Sequence, residues 1–402
     1  MKKQLLVASV LAALALQAQA GAMDDGNLSI SGFGTLGVAK TNTDQVEFAR
    51  YNQAEGVQDK ARIGLDSNLG LQATYTFNDW LSGTAQVLTR KNTSPTFTTD
   101  LTWAFLKAKV NDETSVRVGR IALPGFLISD YQNVGYANTM IRPPVELYAQ
   151  EPIESSDGVD VNYQHSFGDL NFTAQGFVGV SRGKLFIPTA GGSVATYRAP
   201  VSGLAVSGEY GPFVLRFAHL QAKMDTNDLT PINQLVATLS AVGFPDLGNQ
   251  IAVRDKKIGF NSVGLTMDWK NIVLQTEYAQ RRAKDPVYIP DTNAWYTMAG
   301  YRIGKVLPYY AHAAYEGHGR SVTFPSRFPT SGALYSTVNS VLTSGEQKSD
   351  LIGVRWDFAK SLALKVQVDR VKPTVKTGEL NFPKSANVPD VTVVAAAVDF
   401  VF

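Results

Sequence analysis

Period-two alternation of apolar and polar residues is the feature of this sequence that most narrows the folds available to it. Along residues 62–77, apolar side chains such as Ile63, Leu69 and Leu71 alternate with polar ones, which predicts a long strand with one apolar face. A turn at Asn78-Asp79 leads into a second alternating segment, so the pair predicts a tight hairpin. Similar segments recur along the chain. The complete set spans residues 27–39, 62–77, 80–90, 99–110, 115–120, 159–167, 170–180, 204–210, 213–223, 263–269, 272–282, 295–303, 306–316, 351–358, 362–371 and 390–402.

The connections between these sixteen predicted strands alternate between short turns and long loops. The long loops span residues 40–60, 91–98, 121–156, 181–201, 224–256, 283–292, 317–347 and 372–389. This alternation places every long loop at one rim, which is typical of membrane barrels and not of soluble sandwiches. Strands with one apolar and one polar face need lipid on one side and water on the other, and in hydrocarbon the sheet must close. The sequence therefore predicts an all-β fold, a sixteen-stranded antiparallel transmembrane barrel forming one domain over residues 21–402.

The N-terminal segment is typical of a cleaved secretory signal. Lys2 and Lys3 precede an apolar run, and Ala18-Gln19-Ala20 provides small residues for cleavage. The apolar run is much shorter than the roughly 20 residues that span a bilayer as a helix. We therefore expect residues 1–20 to be removed and the protein to be exported. Loss of the two lysines brings the formal net charge of +2 close to zero, which gives no reason to expect nucleic-acid binding.

Residue types also limit the chemistry that is available. The sequence contains no cysteine, so disulfides, thiolate metal sites and cysteine nucleophiles are excluded. The four histidines lack metal-ligand spacing, and we expect neither a metal nor another cofactor. Aromatic residues cluster beside the short turns, where they predict an interfacial girdle; the alternative is that they form the core of a soluble β-protein. They are Tyr75, Phe77, Trp80, Phe167, Tyr210, Phe213, Trp269, Tyr301, Trp356 and Phe358.

Several short stretches resemble the general porins of Gram-negative bacteria. They are residues 31–37 (Ser-Gly-Phe-Gly-Thr-Leu-Gly), residues 61–65 (Ala-Arg-Ile-Gly-Leu), Gly119-Arg120 before the third long loop, and a last strand that ends on Phe402. The resemblance covers essentially the whole mature chain. It implies an outer-membrane homotrimer surrounded by lipid and lipopolysaccharide, reached through the periplasm, with Phe402 as the signal read by the barrel assembly machinery. It also implies that the third long loop folds into the lumen and narrows a passive channel for ions and small hydrophilic solutes.

Candidate pore residues follow from strand parity and from the resemblance. Parity along the strands directs a set of basic residues toward the lumen, and the resemblance assigns wall roles to Arg62 and Arg120. In the strand that precedes the third long loop the two arguments disagree, because parity selects Arg117 and the resemblance selects Arg120. The candidate wall residues are Arg62, Arg90, Arg117, Arg120, Arg216, Arg281, Arg355 and Lys365. The candidate constriction-loop residues are Asp130, Arg142, Glu146, Tyr148, Glu151 and Glu154. Each loop acid either faces the lumen or anchors the loop through an ion pair.

Other functions stay open at this point. Residues 32–37 match a dinucleotide-binding pattern and residues 179–183 match a nucleophile elbow, but neither is followed by a helix, so both are rejected. An outer-membrane phospholipase using His165 or His219 lacks a placed serine. The remaining alternatives are a porin selective for anions, in particular carboxylates, and a non-channel adhesin or structural barrel. In the fifth long loop, the spacing of Ile232, Leu235 and Leu239 indicates either a short helix or a plain folded loop.

Overall fold

The strands form a single closed ring. The structure is a computed structural model that describes residues 23–402 except 152, 189–191, 227, 285–288, 320 and 386; the expected signal segment lies outside these residues. The strands of the described chain are β1 (Met23–Asp25), β2 (Leu28–Thr41), β3 (Asn68–Asn78), β4 (Leu81–Lys91), β5 (Phe97–Lys109), β6 (Thr114–Ala122), β7 (Ser155–Phe167), β8 (Leu170–Ile187), β9 (Ser193–Tyr210), β10 (Phe213–Met224), β11 (Lys256–Trp269), β12 (Ile272–Ala283), β13 (Asp291–Tyr301), β14 (Val306–His318), β15 (Glu346–Ala359), β16 (Leu362–Val375) and β17 (Val391–Val401).

Pairing is antiparallel between neighbours in sequence from β2 to β17, and β17 then pairs with β2. The ring therefore contains sixteen strands, as predicted, while β1 adds a short pairing to β2. Short helices lie in the connections: α1 (Val145–Tyr148), α2 (Thr230–Ala241), α3 (Pro245–Ile251) and α4 (Ala333–Leu342). In the described part of the chain, no helix has the length and apolar character needed to cross a membrane.

The two faces of the barrel differ in chemistry, as the alternation predicts. Leu71, Val118 and Ile352 are exposed on the outer face. On the inner face, the Gln86 amide donates to Gln72 (3.0 Å), and cross-strand hydrogen bonds link polar side chains. The aromatic residues beside the short turns are exposed as well, so they form an outward-facing band. An apolar outer surface of this extent is the surface that lipid covers in membrane barrels.

The predicted boundaries of strands β3, β8 and β9 differ from the observed ones. Strand β3 begins at Asn68, because residues 62–67 belong to the first long loop, where Leu65 is buried against Val57 and its neighbours. An alternating segment that packs inside the barrel has the same pattern as a strand, which explains the error. Strands β8 and β9 extend to Ile187 and from Ser193, so most of the expected fourth loop is a continuation of their hairpin. In the fifth loop, the apolar spacing corresponds to helix α2, which buries Ile232, Leu235 and Leu239.

Ring closure depends on the seam between β16, β17 and β2. Lys365 and Asp399 are fully buried and form an ion pair of 2.8 Å, and the Thr35 hydroxyl donates to Asp399 (2.6 Å). At the end of the seam, Phe402 exchanges two backbone hydrogen bonds of 2.9 Å with Gly32. A Cβ on Gly32 would lie 2.3 Å from the Phe402 ring, so this position requires glycine while the ring stays in place. The role of Phe402 in assembly stays a prediction.

We expect Asp399→Ala to destabilise the barrel, because it leaves the Lys365 ammonium buried without a counter-charge. The loss of unfolding free energy should be about 3–5 kcal/mol. Urea titration of the refolded protein in detergent, followed by tryptophan fluorescence and gel mobility, measures it. The matched control is Asp268→Ala, which removes an exposed ion pair with Arg302 (2.8 Å) and should cost under about 1 kcal/mol. Equal effects of the two substitutions would contradict the importance of the seam.

Candidate functional site

The third long loop, residues 123–154, crosses the interior of the ring. On one side, Arg90 of β4 donates to Glu154 (2.6 Å) and to Asn133 (3.1 Å). On the other, Glu277 of β12 accepts from the Leu127 backbone N–H (2.7 Å) and the Tyr148 hydroxyl (2.9 Å). Strands β4 and β12 lie on opposite sides of the sixteen-stranded ring. A segment bound to both must pass through the space between them.

Basic side chains of a third region of the wall hold the backbone of this loop. Arg355 donates to the carbonyl oxygens of Tyr136 (2.8 Å) and Asn138 (2.9 Å). Lys365 donates to the carbonyl oxygens of Gly135 (2.7 Å) and Met140 (3.0 Å). These contacts satisfy loop carbonyls that would otherwise need water. The two side chains therefore position the loop in addition to lining the wall.

Arg142 is the central anchor of the loop. It is 1% exposed and donates two hydrogen bonds of 2.9 Å to Asp66 in the first long loop and one of 2.7 Å to Asp369 of β16. Burial alone would lower the pKa of the Arg142 guanidinium, but the two carboxylates raise it above its ordinary value. Arg142 thus remains charged and connects both loops to the wall.

The first long loop, residues 42–67, also packs against the third. Phe48, Val57 and Leu65 form one buried cluster with Ile141 and Val145. Sequence reasoning did not identify this inward packing. The only available signal was the apolar alternation near Leu65, which we interpreted as strand.

A narrow polar cavity of about 60 Å³ remains between the two loops and β4. Arg50 and Tyr51 of the first loop, Arg90 of β4, and Glu151 and Glu154 of the third loop line it. A larger cavity of about 190 Å³ shares Tyr51 and Glu151 with it. Arg50 and Tyr51 were not among the predicted pore residues, because loop residues carry no parity from which their direction could be inferred.

Most of the predicted wall arginines have a carboxylate partner. The pairs are Arg62–Glu55 (2.8 Å), Arg90–Glu154 (2.6 Å), Arg117–Asp160 (2.9 Å), Arg120–Asp157 (2.7 Å), Arg216–Asp130 (3.4 Å) and Arg355–Asp357 (2.8 Å). Arg50 and Arg281 differ: within the described residues, neither has a carboxylate oxygen within 4.0 Å. These two arginines therefore have no direct ion-pair partner in the described chain, although the carboxylates of Glu379 and Glu151 act on Arg281, and those of Asp66 and Glu154 on Arg50, at longer range.

Arg117 and Arg120 lie on opposite faces of β6. Arg117 binds Asp160, which is buried on the inner face, whereas Arg120 shares its face with Val118, which is exposed. The Asp157 carboxylate also lies 3.9 Å from the Arg182 guanidinium, and this group of three residues belongs to the outer surface. Parity thus selected the residue on the inner face, Arg117, and the resemblance selected the residue on the outer face, Arg120. Arg62, the other residue assigned by resemblance, lies in the first loop and pairs with Glu55 there.

Several interior acids have neutral partners instead of cations. Glu151 accepts the Ile153 backbone N–H (3.0 Å), and burial raises its pKa to about 7. Glu146 is 1% exposed and accepts from the side chains of Gln347 (2.6 Å) and Ser349; burial raises its pKa too. Near neutral pH such groups carry less negative charge than exposed carboxylates.

The residues that suggested enzymes have other environments. Both glycine patterns lie within strands, β2 and β8. The ring nitrogens of His165 and His219 contact the side chains of Glu113 (2.6 Å) in the first case and of Asn261 (2.7 Å) and Gln221 (3.2 Å) in the second. None of these partners is a serine, which a phospholipase would need. Among the residues that the structure describes, no three His, Cys, Asp or Glu side chains are grouped to hold a metal ion.

Comparisons with known proteins identify the fold. No model of a protein family matches the sequence, and no curated protein matches it. Among solved structures, the anion-selective porin of Comamonas acidovorans is 13% identical, with a TM-score of 0.53 over 93% of this chain and 99% of that one. The outer membrane channel DcaP of Acinetobacter baumannii is 12% identical (TM-score 0.52; 94% and 99% covered). The trimer form of OmpT of Vibrio cholerae is 12% identical, with a TM-score of 0.52 over 94% of this chain and 100% of that one. The chain therefore has the porin fold.

We expect Arg142→Ala to release the third loop, because Asp66 and Asp369 lose their shared cation inside the barrel. Unfolding free energy should fall by about 3–5 kcal/mol, and single-channel current should become noisier. Urea titration and planar-bilayer recording measure the two effects. Arg370→Ala is the matched control, since it removes an exposed pair with Asp390 (3.1 Å) on the outer face. A quiet, fully stable Arg142 variant would contradict the anchoring role.

Proposed function

We propose that this chain forms a water-filled channel in the outer membrane through which ions and small hydrophilic solutes diffuse passively. The observation that carries the proposal is the polar cavity between the first and third loops, inside a barrel with the porin fold. A closed barrel with an apolar exterior and a charged interior is suited to conduct water and ions across lipid. The comparisons favour a channel over an enzyme, since the similar structures include a porin and an outer membrane channel.

The small size of the polar cavity favours a restricted channel over a wide one. A cavity of about 60 Å³ is large enough for water and small ions. Wall and loop charges around it would orient dipolar solutes as they pass. An adhesin or structural barrel is the alternative, in which the loops act at the surface and the passage conducts nothing.

Selectivity for anions, including carboxylates, is the second candidate function. It is favoured by Arg50 and Arg281, which have no carboxylate partner within 4.0 Å among the described residues, while burial raises the pKa of Glu151 to about 7. The porin of Comamonas acidovorans is described as anion-selective, which is consistent with this proposal. Fixed positive charge in a narrow passage raises the local concentration of anions.

The proposal includes partners and an assembly state. We expect a homotrimer exported through the periplasm and inserted by the barrel assembly machinery with Phe402 as its signal. Lipopolysaccharide is the expected outer-leaflet partner. An outward-facing groove near the long-loop ends of β10–β12 supports this contact, since Lys223, Lys257, Arg282 and Lys284 line it. Clustered cations beside an apolar belt suit the phosphate groups of that lipid.

We expect Arg50→Ala to lower the preference for anions. A unit charge at about 4 Å in water is worth about 1 kcal/mol, so the anion-to-cation permeability ratio should fall roughly fivefold. Reversal potentials of single channels under a salt gradient measure this ratio. Arg370→Ala, on the outer face, should leave it unchanged. No current from folded protein would refute the open channel, and an unchanged ratio in Arg50→Ala would refute only the origin of selectivity.

Anion preference should also depend on pH. The raised pKa of Glu151, about 7, means that the carboxyl is mostly neutral below this pH and mostly charged above it. The permeability ratio for anions should therefore fall as pH rises from about 6 to about 8. Arg281, Tyr51 and Tyr197 influence this carboxyl or are influenced by it, and their own charges change little over the range, whereas burial raises the pKa of Glu379, which also interacts with Arg281, to about 7. Glu151→Gln should weaken this pH dependence, and Glu151→Gln combined with Glu379→Gln should abolish it; a dependence that persists in the double variant would assign it elsewhere.

A further inference from the structure

The larger interior cavity has the composition of a ligand site. It measures about 190 Å³ and lies at the long-loop ends of β10, β11 and β12. Its walls are mainly apolar, and Leu185, Met224, Leu229 and Ile258 are among them. Arg281, Tyr51 and Glu151 provide the polar groups. A mostly apolar cavity with a few converging polar groups is the usual form of a small-molecule site.

Arg281 is held in a fixed position with unused hydrogen-bond donors. Its Nε donates to the Pro290 carbonyl oxygen (3.1 Å), and its Nη1 donates to the Gln150 carbonyl oxygen (2.9 Å). A guanidinium has five N–H groups, so three of those of Arg281 have no acceptor within the described part of the chain. Because no carboxylate of the described chain lies within 4.0 Å, the charge of Arg281 is not neutralised by an ion pair. Charged groups inside proteins are normally paired.

Tyr51, which lines the same cavity as Arg281, has a second unpaired donor. Its hydroxyl is buried and has no hydrogen-bond partner among the residues that the structure describes, and the residue lines both the larger and the narrow cavity. A buried hydroxyl without a partner carries an energetic cost that a bound acceptor would remove. Arg281 and Tyr51 together thus offer donors beside an apolar wall, and within the described chain neither is hydrogen-bonded to the Glu151 carboxyl that shares the cavity.

We propose that this cavity binds a small carboxylate with an apolar body, whose carboxylate is held by Arg281 and Tyr51 and whose hydrocarbon packs against Leu229, Met224 and Ile258. The inference rests on the proposed function in one respect, since the ligand reaches the cavity through the channel. Guanidinium groups bind carboxylates through two parallel N–H···O hydrogen bonds, which neutral polar groups cannot reproduce.

Cavity volume limits the size of the ligand. An apolar protein cavity of roughly 150 Å³ holds one benzene ring. The 190 Å³ here therefore accommodates a ring or a chain of about six carbons and excludes a fatty acid of membrane-lipid length. This cavity shares Tyr51, Glu151 and Ile153 with the narrow polar cavity between the first and third loops. A bound ligand therefore lies beside that narrow cavity and should interrupt ion current.

The test compares four probes on single channels in planar bilayers: hexanoate, acetate, hexanol and hexylammonium. Hexanoate should interrupt the current at concentrations at least about tenfold lower than acetate, which lacks the apolar body, and hexanol and hexylammonium, which lack the anion, should be similarly weak. Equal potency of hexanoate and acetate would overturn the apolar part of the site. Equal potency of hexanoate and hexanol would overturn the role of the cation.

Substitution of Arg281 distinguishes ligand binding from loop support. Arg281→Met should remove the difference between hexanoate and hexanol, and Arg281→Lys should keep part of it, because charge remains while the two-pronged geometry is lost. Arg370→Met is the matched control, because Arg370 lies on the outer face and pairs there with Asp390 (3.1 Å). It should retain full discrimination. Retained discrimination in Arg281→Met would overturn the proposal.

Titration calorimetry of hexanoate with the refolded full chain in detergent separates this inference from the channel function. Saturable heat that is lost in Arg281→Met supports the site even if no current is observed, in which case the channel proposal alone fails. Normal current without hexanoate binding overturns the site and leaves the channel intact.

Discussion

Closure of the strand ring is the constraint on which the rest of the structure depends. Strand β17 pairs with β2, so every strand of the ring has a neighbour on both sides and no edge remains. Closure separates an inside from an outside, and period-two alternation then sorts side chains between them. The buried Lys365–Asp399 pair, with Thr35, lies at the seam where the two ends of the chain meet. The same lysine binds the third loop, so closure of the ring and placement of the loop are linked.

Inside the barrel, most charged side chains of the wall form ion pairs and do not stand as a ring of unpaired charges. Arg142 joins the first loop, the third loop and β16, and Arg90, Arg216 and Arg355 connect the wall to loop groups. A buried ion pair contributes little net stability but is costly to break, so these contacts act mainly to specify one loop position. Arg50 and Arg281 stand apart because neither has a carboxylate oxygen of the described chain within 4.0 Å. Their surroundings therefore carry both the selectivity and the ligand proposals.

Much of the fold was predictable because strand number and facing depend on local sequence. The strands on either side of the β7–β8 turn were predicted from short-range spacing, and the spacing of Ile232, Leu235 and Leu239 allowed either a short helix or a plain loop, of which the structure contains the helix. Errors arose where tertiary packing produced the same local pattern. Residues 62–67 alternate like a strand, yet Leu65 packs inside the barrel and Asp66 binds Arg142. For Arg117 and Arg120, parity and resemblance disagreed, and the structure places the two on opposite faces.

The sequence by itself determined the sixteen strands, their apolar and polar faces and the rim that carries the long loops, because each follows from patterns within about ten residues. Only the tertiary structure decided which charges meet. Arg142 and Asp369 are 227 positions apart, and Leu127 and Glu277 are 150 positions apart, so no local pattern relates them. The position of the loops inside the ring brings these residues together. The same loop position leaves Arg50, Tyr51 and Arg281 lining the two interior cavities.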